Sequence, residues 1–244
     1  MVFPISDDDS DRRTVPYVNY ALIAVNVLVF VALQRFGTNE RFTYAWATVP
    51  EEIRTGKDIA ETKTVEEPIT KQVHTIPLEH TPISVYLTLL TSMFLHGGIA
   101  HILGNMWFLW IFGDNVEDAL GHVRYLLFYL LCGILASLAH VASVLAFHSS
   151  DLYIPSLGAS GAISGVLGGY LLLYPTKRVT VILGRVLTEV PAFVAVGIWF
   201  VFQVISGLGT LGDMRPSGVA YAAHIGGFLV GLALVRPFGI GREA

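Results

Sequence analysis

Six stretches of the chain carry no Asp, Glu, Lys or Arg: residues 14–34, 80–113, 125–150, 152–176, 190–212 and 216–235. Each is at least as long as the roughly 20 residues that a helix needs to cross a bilayer core. A soluble protein can bury such helices. Six of them in so short a chain would leave almost no polar surface to cover the core. The pattern therefore predicts an all-α, polytopic membrane protein with six transmembrane helices. The second stretch is too long for one span. Its first part, Ile83–Phe94, is expected as a loop or interfacial helix, with the span starting near His96. The divisions are a cytoplasmic segment 1–16, helix 1 at 17–36, a long extracytoplasmic first loop 37–82, a core of helices 2–6 at 83–236, and a cytoplasmic tail 237–244.

Composition agrees with this reading. Of 244 residues, 53% are hydrophobic and only 14% charged, with a mean hydropathy of +0.61. An ordinary soluble domain carries about 25% charged residues. The net charge of -4 gives no basic face for nucleic acid. Cys132 is the only cysteine, so an internal disulfide and a cysteine-rich zinc site are both excluded. The N-terminus does not read as a cleavable signal, because Asp7, Asp8, Asp9 and Asp11 precede Arg12 and Arg13, and the apolar run that follows is long enough to stay as a span.

Basic residues in the short loops set the orientation. Arg12, Arg13, Arg124, Lys177, Arg178, Arg185, Arg236 and Arg242 fall on one side if the helices alternate. The opposite short loops hold only Arg215. Both termini are therefore expected in the cytoplasm. The first loop differs in kind: Glu51, Glu52, Arg54, Lys57, Glu66 and Glu67 read as a solvated charged face, with Phe42, Tyr44 and Trp46 near the interface.

Polar residues inside spans are functional candidates, because burying them without partners costs several kcal/mol, on the order of 2–7. Helix 2 carries His96, His101 and Asn105; helix 4 opens at Ser160; helix 5 holds Gln203; helix 6 carries His224. The even-numbered helices all run inward. His101 lies a few residues into helix 2, Ser160 near the start of helix 4, and His224 about 10 Å into helix 6 at 1.5 Å per residue. The three share one depth in the outer half of the bilayer. Gly161, Gly165 and Gly168, and on helix 6 Gly227 and Gly231, form stripes that permit close backbone approach. Such packing would bring the Ser160 hydroxyl to the His224 imidazole. A neutral imidazole can take the serine proton. Asn105, His101 and the Ser160 backbone N–H can donate to the oxyanion that follows. No acidic residue is placed to orient the base, so a Ser–His dyad is favoured over a triad.

These residues resemble the rhomboid family of intramembrane serine proteases, from about Ile83 to Arg236. The matching pieces are His96-Gly-Gly-Ile-Ala-His101-Ile-Leu-Gly104-Asn105, Gly113-Asp-Asn-Val-Glu117-Asp-Ala-Leu-Gly121, Gly158-Ala-Ser160-Gly161 and Ala223-His224-Ile-Gly-Gly227-Phe-Leu-Val-Gly231. The resemblance implies a six-helix rhomboid bundle, with Ser160 as nucleophile, His224 as general base, and Asn105 and His101 on the oxyanion side. It implies Gly227 and Gly231 as close-packing positions and Glu117 as a structural residue at the cytoplasmic end of helix 2. Its substrates would be membrane-anchored, transmembrane proteins, cut in or near a transmembrane segment without metal or cofactor. Helix 5, with Trp199, Phe200 and Phe202, would form a gate. Two departures stand out. Ser164 replaces the aromatic residue that many relatives place four positions after the nucleophile, and is a conceivable second hydroxyl near the base. Glu117-Asp118-Ala119 lacks the family's Glu-x-Arg pairing.

Two rival readings stay open. One is an inactive relative that binds membrane clients without cutting them. The other is a transporter or channel using His96, His101, Asn105 and His224. Against it, no carboxylate is expected within a span, and a His pair five apart does not share a helix face. His140 and His148, toward the outer end of helix 3, are read as capping or packing residues. A multi-pass protein of a bacterial or archaeal cell membrane suits the short loops. Oligomeric state and natural substrate are not specified by the sequence.

Overall fold

The computed structural model describes residues 2–66, 73–147, 151–213 and 220–239. Glu67, His148, Arg215 and Arg242 lie outside them. The chain is mostly helical. Its elements in order are β1 (Val2–Asp7), α1 (Tyr17–Leu33), α2 (Glu40–Trp46), α3 (Pro50–Thr55), β2 (Thr62–Glu66), β3 (Val73–Pro77), α4 (Val85–Phe94), α5 (Ile99–Leu120), α6 (His122–Phe147), α7 (Ser160–Leu173), β4 (Arg178–Leu183), β5 (Val186–Pro191), α8 (Ala192–Asp213) and α9 (Tyr221–Gly239). Among the described residues, three stretches are long and apolar enough to cross a membrane: α6, residues 192–209 of α8, and α9. The pair α4 and α5, bent by 80° at their junction, makes a fourth candidate, and α1 and α7 are shorter apolar helices. His96 lies in that bend. The long helix begins at Ile99 and runs on to Leu120, and Asp114 and Glu117 are buried in its last turns.

Helix α7 is the centre of the bundle. Every residue from Gly161 to Tyr170 is buried, against α9, α6 and α5. The glycines explain the contact with α9. A Cβ at Gly227 would overlap the Gly161 carbonyl, one at Gly231 the Gly165 carbonyl, and one at Gly168 the Phe228 carbonyl. Without side chains at these positions, the two backbones touch directly. Helix α7 ends at Leu173, with Tyr174 as its C-cap just before Pro175, which cannot continue it.

The end of the bundle opposite Ser160 is knitted together by carboxylates. Glu117 accepts from the backbone N–H groups of Val18 (2.9 Å) and Asn19 (2.6 Å) and also contacts the His122 ring. Asp118 accepts from the Thr14 N–H (2.7 Å) and hydroxyl (2.6 Å). Glu117 thereby satisfies two of the unpaired donors that begin α1, and Asp118 ties down the segment just before it. This is how the junction is held without a Glu-x-Arg pair. Arg124 donates to the Phe238 carbonyl at 3.3 Å, which brings the end of α9 to the same side.

Two regions read as loops are structured. The basic segment after α7 is a β-hairpin, β4–β5, and β1 pairs antiparallel with β4, giving the order β1–β4–β5. Val179 and Val181 turn into the core while Thr180 and Ile182 do not, the period-2 pattern of a half-buried strand. β1 lies against α5 and α8; its Pro4 carbonyl accepts from the Trp107 indole at 2.8 Å. The first loop is likewise not a purely solvated charge run. Glu51 and Glu52 are buried in α3, and the Glu52 carboxylate accepts from the Ile59 N–H at 2.9 Å. Burial pushes the Glu52 carboxyl up to about 6.

Candidate functional site

Ser160 is the first residue of α7, where the helix's leading N–H groups have no partner within the helix. Gly158, two residues earlier, has φ 128°, a region that favours glycine, and a Cβ there would meet the His101 ring at 2.9 Å. That turn sets Ser160 beside both histidines. His224, the fourth residue of α9, places Nε2 at 2.8 Å from Ser160 Oγ. His101 and Asn105 stand one turn apart on α5. Asn105 is buried, and its Nδ2 has no hydrogen-bond partner. His101 Nδ1 accepts from the Gly97 N–H at 3.2 Å, which leaves its other nitrogen free to carry a proton.

All four residues line one cavity of about 1230 Å³. Its lining includes the apolar side chains of Phe108, Ile163, Leu167 and Trp199 together with Asp151 and Tyr221. The arrangement has the parts of acyl-transfer chemistry: a hydroxyl bonded to an imidazole, with an unpaired amide donor and a helix N-terminus facing the same space.

Not every polar residue of the spans joins them. His96 does not reach the cavity. Its ring is fully buried, edge-on to Phe30 and 5.2 Å from the His101 ring, and neither of its ring nitrogens has a hydrogen-bond partner. Ser164 is buried too, but its hydroxyl donates to the Ser160 carbonyl at 2.6 Å and does not act as a second hydroxyl at the base. The aromatic support that position 164 lacks comes from elsewhere. Trp199 and Tyr221 flank the His224 ring, with centroids 6.3 and 6.4 Å away. Phe202, by contrast, points outward and is 54% exposed.

One contact was given no role by the sequence. Gln203 of α8 is buried, and its Oε1 lies 2.8 Å from His224 Nδ1. A signal existed, since Gln203 is the one long polar side chain in the window 190–212. Only the facing of α8 onto α9 shows what it touches.

The Rhomboid domain family matches residues 84–239, which holds α5 to α9 and every cavity residue named above. The chain belongs to the rhomboid family. It is 34% identical over 152 residues to "Rhomboid protease GluP" of Bacillus subtilis, covering 62% of this chain and 26% of that protein. It is 36% identical over 161 residues to "RHOMBOID-like protein 4" of Arabidopsis thaliana, covering 61% and 34%. It is 30% identical over 158 residues to "Rhomboid protein 1, mitochondrial" of Saccharomyces cerevisiae, covering 64% and 42%. The match thus spans less than half the length of each of these relatives. Rhomboid membership and the apolar helices make the chain a multi-pass membrane protein. Relatives named for mitochondria sit beside a bacterial one, so the comparisons do not assign it to one kind of membrane.

Proposed function

We propose that this rhomboid is an intramembrane serine endopeptidase that cleaves membrane-anchored proteins in or near a transmembrane segment, through a dyad of Ser160 and His224. The observation that carries the reading is the 2.8 Å contact between Ser160 Oγ and His224 Nε2, in a cavity that also holds an unpartnered Asn105 amide. His224 takes the hydroxyl proton as Ser160 Oγ bonds to the scissile carbonyl carbon. The carbonyl oxygen becomes an oxyanion, accepting from Asn105 Nδ2, from His101 and from the Ser160 backbone N–H. The imidazolium then protonates the departing amine, and the C–N bond breaks. Water, deprotonated by the same imidazole, hydrolyses the acyl-enzyme and returns the proton to Ser160.

The topology proposed is six spans, with α4–α5 bent and α1 and α7 short. Both termini would lie in the cytoplasm and the cavity would open outward. The cell membrane is the proposed site of action. The deciding experiment reconstitutes the chain with a transmembrane reporter and compares it with Ser160→Ala. Wild type should cut the reporter and the variant should not, with equal thermal stability. Cleavage at the wild-type rate by Ser160→Ala would remove the protease reading.

A further inference from the structure

We infer that Gln203 is a positioning residue of this dyad: it fixes which nitrogen of His224 carries the proton, and so ties the competence of the base to the seating of α8. The inference rests on the protease reading above. A neutral imidazole has one N–H. If Nε2 carries it, that nitrogen can only donate to Ser160 Oγ and cannot take a proton from it. If Nδ1 carries it, the Nε2 lone pair is free to accept. Something must therefore hold a hydrogen-bond acceptor against Nδ1.

In serine proteases with a triad a carboxylate does this. Here the contact at Nδ1 is the amide oxygen Gln203 Oε1, at 2.8 Å. An amide oxygen cannot donate, so the bond runs from Nδ1–H to Oε1 and leaves Nε2 toward Ser160, where the second 2.8 Å contact is found. The three groups form one directed chain: the Ser160 hydroxyl donates to His224, and His224 donates to Gln203. Gln203 is buried beside Trp199, one turn earlier on α8, which packs on the same ring. An amide turned the other way would donate to Nδ1 and force the unproductive tautomer.

The three links come from three helices: Ser160 from α7, His224 from α9 and Gln203 from α8. Any outward swing of α8 that admits substrate must therefore leave the turn at Gln203 in place, or restore it before the chemical step. The amide also supplies orientation without a fixed negative charge in an apolar wall, where an unpaired carboxylate would be costly.

The test uses Gln203→Met, which keeps the size and loses the acceptor, and Gln203→Glu, which when ionised can only accept. Both are reconstituted with the transmembrane reporter, and kcat and KM are measured across pH, with thermal unfolding as the fold control. Gln203→Met should lower kcat on the order of 10–100-fold, part of the 10²–10⁴ that a general base contributes, with KM unchanged. Gln203→Glu should stay within a few-fold of wild type and displace the acidic limb of the pH–rate profile, which packing alone would not do. Wild-type kcat in Gln203→Met would overturn the inference. If Gln203→Met unfolds, Gln203→Glu decides: a folded Glu variant that has lost kcat as far as a misplaced base would also overturn it. Ser160→Ala, run in parallel, separates the two readings. Cleavage by that variant sinks the dyad itself; a dead Ser160→Ala beside a fully active Gln203→Met sinks only the role of Gln203.

Discussion

The two ends of the bundle treat polar groups in opposite ways. At the end away from Ser160, the buried carboxylates are engaged. Glu117 accepts from two backbone N–H groups and meets His122; Asp114 takes Arg12; Asp7 accepts from Asn115 at 2.8 Å and Tyr170 at 2.7 Å. Lys177 bridges Asp11 and Asn115, at 2.6 Å each. At the Ser160 end, the Asn105 amide is buried and unpartnered, and the serine hydroxyl has an imidazole facing it. Satisfied groups hold a structure in place. An unsatisfied buried donor lowers stability by about 1–3 kcal/mol, and is expected where a reacting atom will supply the missing partner. The comparison also follows the family boundary. The Ser160 end lies inside residues 84–239, whereas the opposite end draws in residues 7–19 from outside that match.

Substitutions should separate the two ends. The largest effect is expected for His224→Ala, which should abolish reporter cleavage while the unfolding temperature moves little. Asn105→Ala comes next, with a fall in kcat of about 10²–10³-fold if its amide meets the oxyanion, again at near-normal stability. A large loss of stability in Asn105→Ala would instead make it a packing residue and blur the contrast. Glu117→Ala should do the reverse. It strands the N–H groups of Val18 and Asn19, so the unfolding midpoint should fall by an amount equivalent to roughly 2–4 kcal/mol, while the folded fraction cuts at the normal rate.

The last prediction concerns pH. Burial raises the Asp7 carboxyl from 3.8 to about 7, with Asp114 and Asp9 adding to the shift and Tyr170 and Lys177 opposing it. Between those values the folded chain binds more protons at Asp7 than the unfolded chain does, so its contribution to stability falls as pH rises from about 4 to 7. Asp7→Asn should flatten that part of a melting-temperature profile. An unchanged slope would show that Asp7 is not the group responsible.

The residues of the Ser160 end stand out locally in the sequence. A serine, two histidines and an asparagine stand out in charge-free windows, and helix parity alone gives them a common depth. The glycine stripes were legible for the same reason. What was missed depends on pairing between distant segments. β1 has no partner nearer than β4, more than 170 residues on, and its Pro4 argues against a strand. The hairpin did carry a signal, in the alternation of Arg178 to Leu183 and the turn at Gly184, but its basic residues drew attention to charge instead. The break near His96 was legible, because the charge-free run 80–113 is too long for one span; the 80° angle between α4 and α5 was not. Glu52 is buried by the tertiary packing of α3, which its charged neighbours do not reveal.

The sheet has a mechanical consequence. β5 ends at Pro191 and α8 begins at Ala192, with no residue between them to absorb slack. β1 is stitched to the same hairpin from the other end of the chain. The seating of the first residues and the foot of α8, the helix that carries Gln203, therefore share one sheet.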